Sequence, residues 1–113
     1  MIKNTVVLVP FPFDDFSTTK VRPAICLTNK IGQFGHIVIA FITSQIPDDL
    51  EQSDMVLKIN DKDFQQTGLK VSSVIRLHRI VTIPGHLIKR ELGKITKSQE
   101  KELKQKLIRL FEL

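Results

Sequence analysis

The chain of 113 residues is the length of a single domain, 1–113, with 42% hydrophobic and 26% charged residues and a formal net charge of +5. That balance excludes a disordered chain, which needs fewer apolar residues and a more lopsided charge. No stretch approaches the ~20 apolar residues of a membrane span. The opening Met1-Ile2-Lys3 has no apolar signal-peptide run, so a cytoplasmic protein without membrane contact is expected. The basic excess suits a polyanion such as nucleic acid or an acidic protein partner. Much of it lies beyond His86, however, where lysines also serve simply to solubilise a helix.

Val6-Val7-Leu8-Val9 reads as a first strand, short, branched and apolar. Pro10 to Lys20 follows as a loop, because its two prolines cannot donate to a ladder. Val21 to Thr28 reads as a second strand. It holds Cys26, the single cysteine, in an apolar run that predicts a buried, inert thiol. A turn over 29–35 leads into the clearest buried strand, His36 to Ile42, which closes on Thr43-Ser44-Gln45. An acidic loop, Pro47 to Asp54, precedes a strand from Met55 to Ile59. Asn60 or Asp61 is placed to cap a short helix through Gln66 that Gly68 ends.

Val71 to Ile83 alternates with period two. Val71, Ile75, Leu77, Val81 and Ile83 fall on one face, and Arg76, His78 and Thr82 on the other with Val74 and Ile80. Arg79 lands on the apolar face, which predicts a bulge or bend beside it. Residues 86–92 fit a short helix or a strand equally. The tail is helical: Leu103, Leu107, Leu110 and Phe111 follow helix spacing, Thr96 with Gln99 forms a capping-box pattern, and Glu100–Lys104 and Glu102–Lys106 are favourable i,i+4 pairs. Many short strands joined by short connections, then one helix, predict a mainly β (α+β) fold, a small barrel of antiparallel strands with a C-terminal helix.

Several chemistries find no support. His36, His78 and His86 lie in different segments, and no His-x-x-x-His or Cys-x-x-Cys pair exists, which argues against zinc. The acidic stretch Asp48, Asp49, Glu51 and Asp54 lacks the glycine and spacing of a calcium loop and reads as solvated. There is no phosphate-cradling glycine loop and no nucleophile elbow. No metal or cofactor is therefore expected. What remains is chemistry that needs few protein groups. RNA carries its own nucleophile, the 2′-hydroxyl, so alignment, a proton acceptor and charge stabilisation at the phosphate suffice to cut it.

Val6-Val7-Leu8-Val9-Pro10-Phe11-Pro12-Phe13, then Lys20-Val21-Arg22-Pro23-Ala24-Ile25, Ile39-Ala40-Phe41-Ile42-Thr43-Ser44-Gln45-Ile46 and Ser73-Val74-Ile75-Arg76-Leu77, taken in this order, resemble the MazF/PemK-like toxin family. The likeness covers nearly the whole chain. Its most specific element is Arg-Pro opening an apolar strand, followed about twenty residues on by an apolar strand ending in threonine.

The resemblance implies an SH3-like barrel, a homodimer, and the toxin of a type II toxin–antitoxin system that cuts single-stranded RNA at short sequences. It also implies a cognate antitoxin with an acidic, flexible C-terminal segment. The family's catalytic arginine and threonine map onto Arg22 and Thr43. Arg22 brings a planar fork of donors for two phosphate oxygens, and Thr43 a hydroxyl for the phosphate or the 2′-oxygen. The expected RNA-binding residues are Phe13, Thr18, Thr19, Lys20, Ser44, Gln45, His78 and Arg79. Phe13 either stacks on a base or folds onto the barrel.

The chain departs from the family at Asn4-Thr5, where many members have Gly-Asp, which calls a turn and a dimer contact into question. Two other readings stand beside the ribonuclease. One is a CcdB-like gyrase-binding wedge, although the terminal Leu110-Phe111-Glu112-Leu113 lacks the Trp-Gly-Ile ending of such proteins. The other is a non-catalytic nucleic-acid-binding barrel.

Overall fold

The structure, a computed structural model, describes residues 2–10 and 20–113. Six strands, β1 (Thr5–Pro10), β2 (Val21–Cys26), β3 (His36–Thr43), β4 (Asp54–Leu57), β5 (Ser73–Pro84) and β6 (Arg90–Lys94), precede one helix, α1 (Lys97–Phe111). The strands form a single sheet in the order β4-β5-β3-β2-β1-β6, with every pairing antiparallel, curled into a half-barrel. This is the mainly β architecture with a C-terminal helix that the sequence predicts.

The two edge strands, β4 and β6, are not ladder partners. A 3₁₀ turn, Gln65–Thr67, packs against β6. A Cβ on Gly93 would run into the backbone carbonyl of Gln66, and one on Gly68 into that of Leu92. Gly68 also holds a left-handed φ of 73°, a conformation that other residues adopt only at a cost. The short helix expected from Asn60 or Asp61 is thus reduced to this turn, with Phe64 in the capping position and no side-chain cap. The ending at Gly68 is as the sequence indicates.

Both faces of the central strands are buried. Val6, Ile25, Ala40, Ile42, Ile75 and Leu77 point to a core shared with Leu103 of α1. Val7, Val9, Ala24, Cys26, Ile37, Ile39, Phe41 and Ile83 form a second core on the opposite face. Neighbouring residues in a strand point to opposite faces, so a strand covered on both sides reads as a continuous apolar run, as His36–Thr43 does.

β5 breaks this rule at one place. Ala40 pairs with Ile80 but the next residue, Phe41, pairs with Arg76, so Leu77-His78-Arg79 bulge out of the ladder. An odd number of inserted residues inverts the alternation. Ile75 and Leu77 therefore face the first core, whereas Val81 and Ile83 face the second, and Ile80 joins the first. The single apolar face expected for Val71, Ile75, Leu77, Val81 and Ile83 is corrected accordingly. The predicted bulge is present, and it splits that face in two. Val71 belongs to neither core; it precedes β5 and is 53% exposed.

Residues 86–92 contain both alternatives, a 3₁₀ turn at Gly85–Leu87 followed by the start of β6. The helix is capped as its sequence indicates. Thr96 Oγ1 accepts from Gln99 N–H (3.2 Å) while Gln99 Oε1 accepts from Thr96 N–H (2.9 Å). Leu103 is buried and Leu107 and Leu110 half-buried, but Phe111, in the last turn, is 55% exposed. Lys106, expected to pair with Glu102, donates to the carbonyl of Gln52 (3.2 Å).

The Asn4-Thr5 departure leaves the turn intact. Asn4 takes a φ of 71°, a left-handed conformation that asparagine tolerates better than most side chains. Its N–H donates to Cys26 O (2.7 Å) and its carbonyl accepts from Ile95 N–H (3.1 Å). Cys26 itself is fully buried, and that burial, with Glu91 adding a smaller repulsion, raises its thiol from 9.0 to about 11. No helix of the described residues is long and apolar enough to cross a membrane.

Candidate active site

The sheet register brings Arg22 and Thr43 together. β2 and β3 pair antiparallel from Ala24 opposite Phe41. Pro23 has no N–H to donate, and the recorded pairing with β3 stops short of it. Continuing that register by two residues sets Arg22 opposite Thr43. Side chains two apart share a face, so both lie on the side of the sheet that carries Ala24 and Phe41. Both line one groove of about 340 Å³, with Ser44, Gln45, Lys70, Arg76 and Arg79 among its other walls. Arg22 is exposed and Thr43 half-buried. The hydroxyl oxygen of Thr43 accepts from Gln45 N–H (3.1 Å), which holds the strand-end turn and leaves the hydroxyl proton to donate into the groove.

A second guanidinium comes from β5. Arg76 stands opposite Phe41 on one side and opposite Asp54 on the other. Its Nε donates to Asp54 Oδ1 (2.8 Å), and the Asp54 side chain is fully buried. Four cationic side chains, Arg22, Arg76, Arg79 and Lys70, line the groove, and no carboxylate is among the described residues that do. The described lining is therefore cationic, with low-dielectric walls supplied by Phe41 and Leu69.

Of the residues expected from sequence, Arg22, Thr43, Ser44, Gln45 and Arg79 meet in this groove. The bulge is what delivers Arg79. By turning Leu77-His78-Arg79 out of the ladder, it exposes two consecutive side chains, His78 and Arg79. His78 does not line this groove; it borders one cleft with Glu51, Lys106 and Arg109 and another with Arg79, and its Nδ1 is 3.9 Å from Asp54 Oδ1. Lys20 is exposed one residue before β2 and does not line the groove. Phe13, Thr18 and Thr19 lie outside the described residues.

Sequence reasoning missed Arg76, Lys70 and Asp54. Arg76 had a signal in the alternation, which puts it on a polar face. Asp54 had none, since it closes an acidic run that reads as solvated loop. Among the described residues, no group of three or more His, Cys, Asp or Glu side chains is arranged to hold a metal ion.

The fold and groove together define a small SH3-like half-barrel whose strand ends present a cationic cleft. The family model of the PemK-like, MazF-like toxins of type II toxin–antitoxin systems matches residues 3–111. The chain belongs to that family and is a toxin of this class.

Among the solved structures that share its fold are two from mycobacteria. One is the Mycobacterium tuberculosis toxin MazF-mt6, with a TM-score of 0.73 and 21% identity over 96% of this chain and 97% of that one. The other is an endoribonuclease in complex with its cognate antitoxin from a mycobacterial species, with a TM-score of 0.74 and 12% identity over 100% of this chain and 96% of that one. No curated protein matches by sequence.

Proposed function

We propose that this toxin is an endoribonuclease that cuts single-stranded RNA without a metal, using the substrate's own 2′-hydroxyl as nucleophile. The observation that carries the reading is the meeting of Arg22 and Thr43, from neighbouring strands, in one cation-lined groove. Membership of the toxin family and the endoribonuclease named among the structural neighbours support it.

In this mechanism the 2′-oxygen forms a bond to phosphorus as the bond to the 5′-oxygen breaks, leaving a cyclic phosphate. The 2′-hydroxyl gives its proton to solvent or a groove side chain, and the departing 5′-oxygen gains one. Arg22 offers paired N–H donors to the non-bridging oxygens, where negative charge gathers in the transition state. Thr43 donates its hydroxyl proton to the same phosphate or to the sugar oxygen, fixing the line of attack. Arg76 and Arg79 hold flanking phosphates. Ser44, Gln45 and Lys20 contact the bound strand, as do Phe13, Thr18 and Thr19. His78 meets RNA where the strand runs past Arg79 out of the groove.

The active species is a homodimer in the cytoplasm, and it is silenced by a cognate antitoxin whose acidic segment competes for the cationic groove. Its action on mRNA arrests growth.

The test is incubation of the purified protein with a long single-stranded RNA in EDTA, with Arg22→Ala and Thr43→Ala beside it. Wild type cleaves, and Arg22→Ala is slower by at least ~100-fold, the usual loss for one transition-state charge donor. An Arg22→Ala protein of wild-type activity would remove this residue from the mechanism.

A further inference from the structure

We propose that Asp54 is a positioning residue for RNA recognition, one that sets the direction of the Arg76 guanidinium. The inference rests on the ribonuclease reading of the groove. A carboxylate beside a site built to attract phosphate is unfavourable by charge alone. Asp54 is nonetheless placed there, with its side chain fully buried at the edge of the sheet.

Its own geometry is fixed first. Asp54 N–H donates to Glu51 O (3.0 Å) and Asp54 Oδ2 accepts from Glu51 N–H (2.8 Å), so a tight turn holds the carboxylate at both ends. The remaining oxygen, Oδ1, takes Nε of Arg76 at 2.8 Å. Nε is the guanidinium nitrogen nearest the main chain. A bond there fixes the plane of the group while the two terminal nitrogens stay available to the groove that Arg76 lines. Arg76 becomes a preorganised phosphate fork, with less freedom to lose on binding. The register supports the pairing, since Asp54 and Arg76 are direct cross-strand neighbours on β4 and β5.

The sign of one measurement separates positioning from simple charge. Asp54→Asn raises the formal net charge from +5 to +6. By electrostatics alone it should bind RNA more tightly. If Asp54 acts by aiming Arg76, the same variant binds less tightly and cuts more slowly. The amide cannot both accept from Arg76 and satisfy the Glu51 N–H that the second carboxylate oxygen now serves.

The experiment measures affinity for a fluorescent single-stranded oligoribonucleotide, and kcat/KM for its cleavage. The proteins are wild type, Asp54→Asn, Arg76→Ala, Arg76→Lys and the Asp54→Asn/Arg76→Ala double variant, each checked for folding by circular dichroism. Asp54→Asn should lose roughly tenfold in both quantities, the usual worth of one oriented charged hydrogen bond. It should lose nothing more when Arg76 is already absent.

A folded Asp54→Asn protein that binds and cuts as well as wild type, or better, overturns the proposal. So does a further tenfold loss in the Arg76→Ala background, which would mark a merely structural carboxylate. If Asp54→Asn does not fold, Arg76→Lys decides. It keeps the charge but not the fork, and is expected to fall about tenfold; wild-type activity there overturns the proposal. A wild-type protein that neither binds nor cuts RNA defeats the ribonuclease reading itself, and the role of Asp54 falls with it.

Discussion

Replacing Arg76 by methionine should destabilise the fold even in the absence of RNA. The Asp54 carboxylate has no solvent-exposed surface, and the Arg76 side chain that neutralises it is only 19% exposed. Removing one partner of a buried pair commonly costs ~3–5 kcal/mol, because the other charge is left in a poor dielectric. Here two groups soften the loss. Glu51 N–H still donates to Oδ2, and His78 Nδ1 stands 3.9 Å from Oδ1, within reach after a small shift. Methionine also fills much of the vacated volume. A net loss of about 2–3 kcal/mol follows.

Equilibrium urea unfolding at pH 7 measures it. With a slope of ~1–2 kcal/mol per molar for a chain of this size, the midpoint should fall by about 1–3 M. Asp54→Asn combined with Arg76→Met should recover at least half of that, since the charge needing a partner is gone. An Arg76→Met protein within ~0.5 kcal/mol of wild type would show that the carboxylate does not depend on the guanidinium, and the geometric account of Asp54 would be wrong.

Three other outcomes are expected. Thr43→Ser keeps a hydroxyl that both accepts from Gln45 N–H and donates to the groove, so cleavage should stay within a few-fold of wild type. Thr43→Val should lose ~10–100-fold, and equal rates for the two variants would contradict the assigned role. Burial raises the Cys26 thiol, so the folded chain gives up that proton less readily than the unfolded one. The contribution to stability is complete below about pH 9 and lost as pH rises toward about 11, and Cys26→Ala should flatten that alkaline decline. Thr96→Ala removes the hydroxyl that caps α1 and should cost ~1 kcal/mol in urea unfolding, whereas an unchanged midpoint would mean the capping box contributes nothing.

Much of the fold was legible because each central strand is covered on both faces. An apolar run such as that of β3 then identifies itself regardless of register, and the capping box of α1 is a purely local signal. What was not legible depended on a count. The sequence indicated irregularity at Arg79, but not that three residues leave the ladder, and that odd number decides which core Val81 and Ile83 enter.

The active-site groove divides in the same way. Arg22 and Thr43 were accessible through a family likeness, and their strands are adjacent in the sheet. Arg76 and Asp54 gain their meaning from a cross-strand contact between residues 22 positions apart, which no local pattern encodes. His78 was grouped with Arg79 because both fall where the family's recognition strand carries polar side chains. The bulge exposes both, but only Arg79 lines the groove with Arg22 and Thr43, while His78 borders a further cleft with Glu51 and Lys106.

The source of the nucleophile decides the chemistry of this groove. Once the cut position in a short RNA has been mapped, the most direct measurement is to remove the single 2′-hydroxyl on the 5′ side of that bond and repeat the reaction in EDTA with wild-type protein. The all-ribose strand should be cut to a cyclic phosphate end and the singly deoxy strand should stay whole while still binding. Scission of the deoxy strand at the same bond would mean that water or a protein group attacks instead, and the chemistry assigned to Arg22 and Thr43 would have to be abandoned.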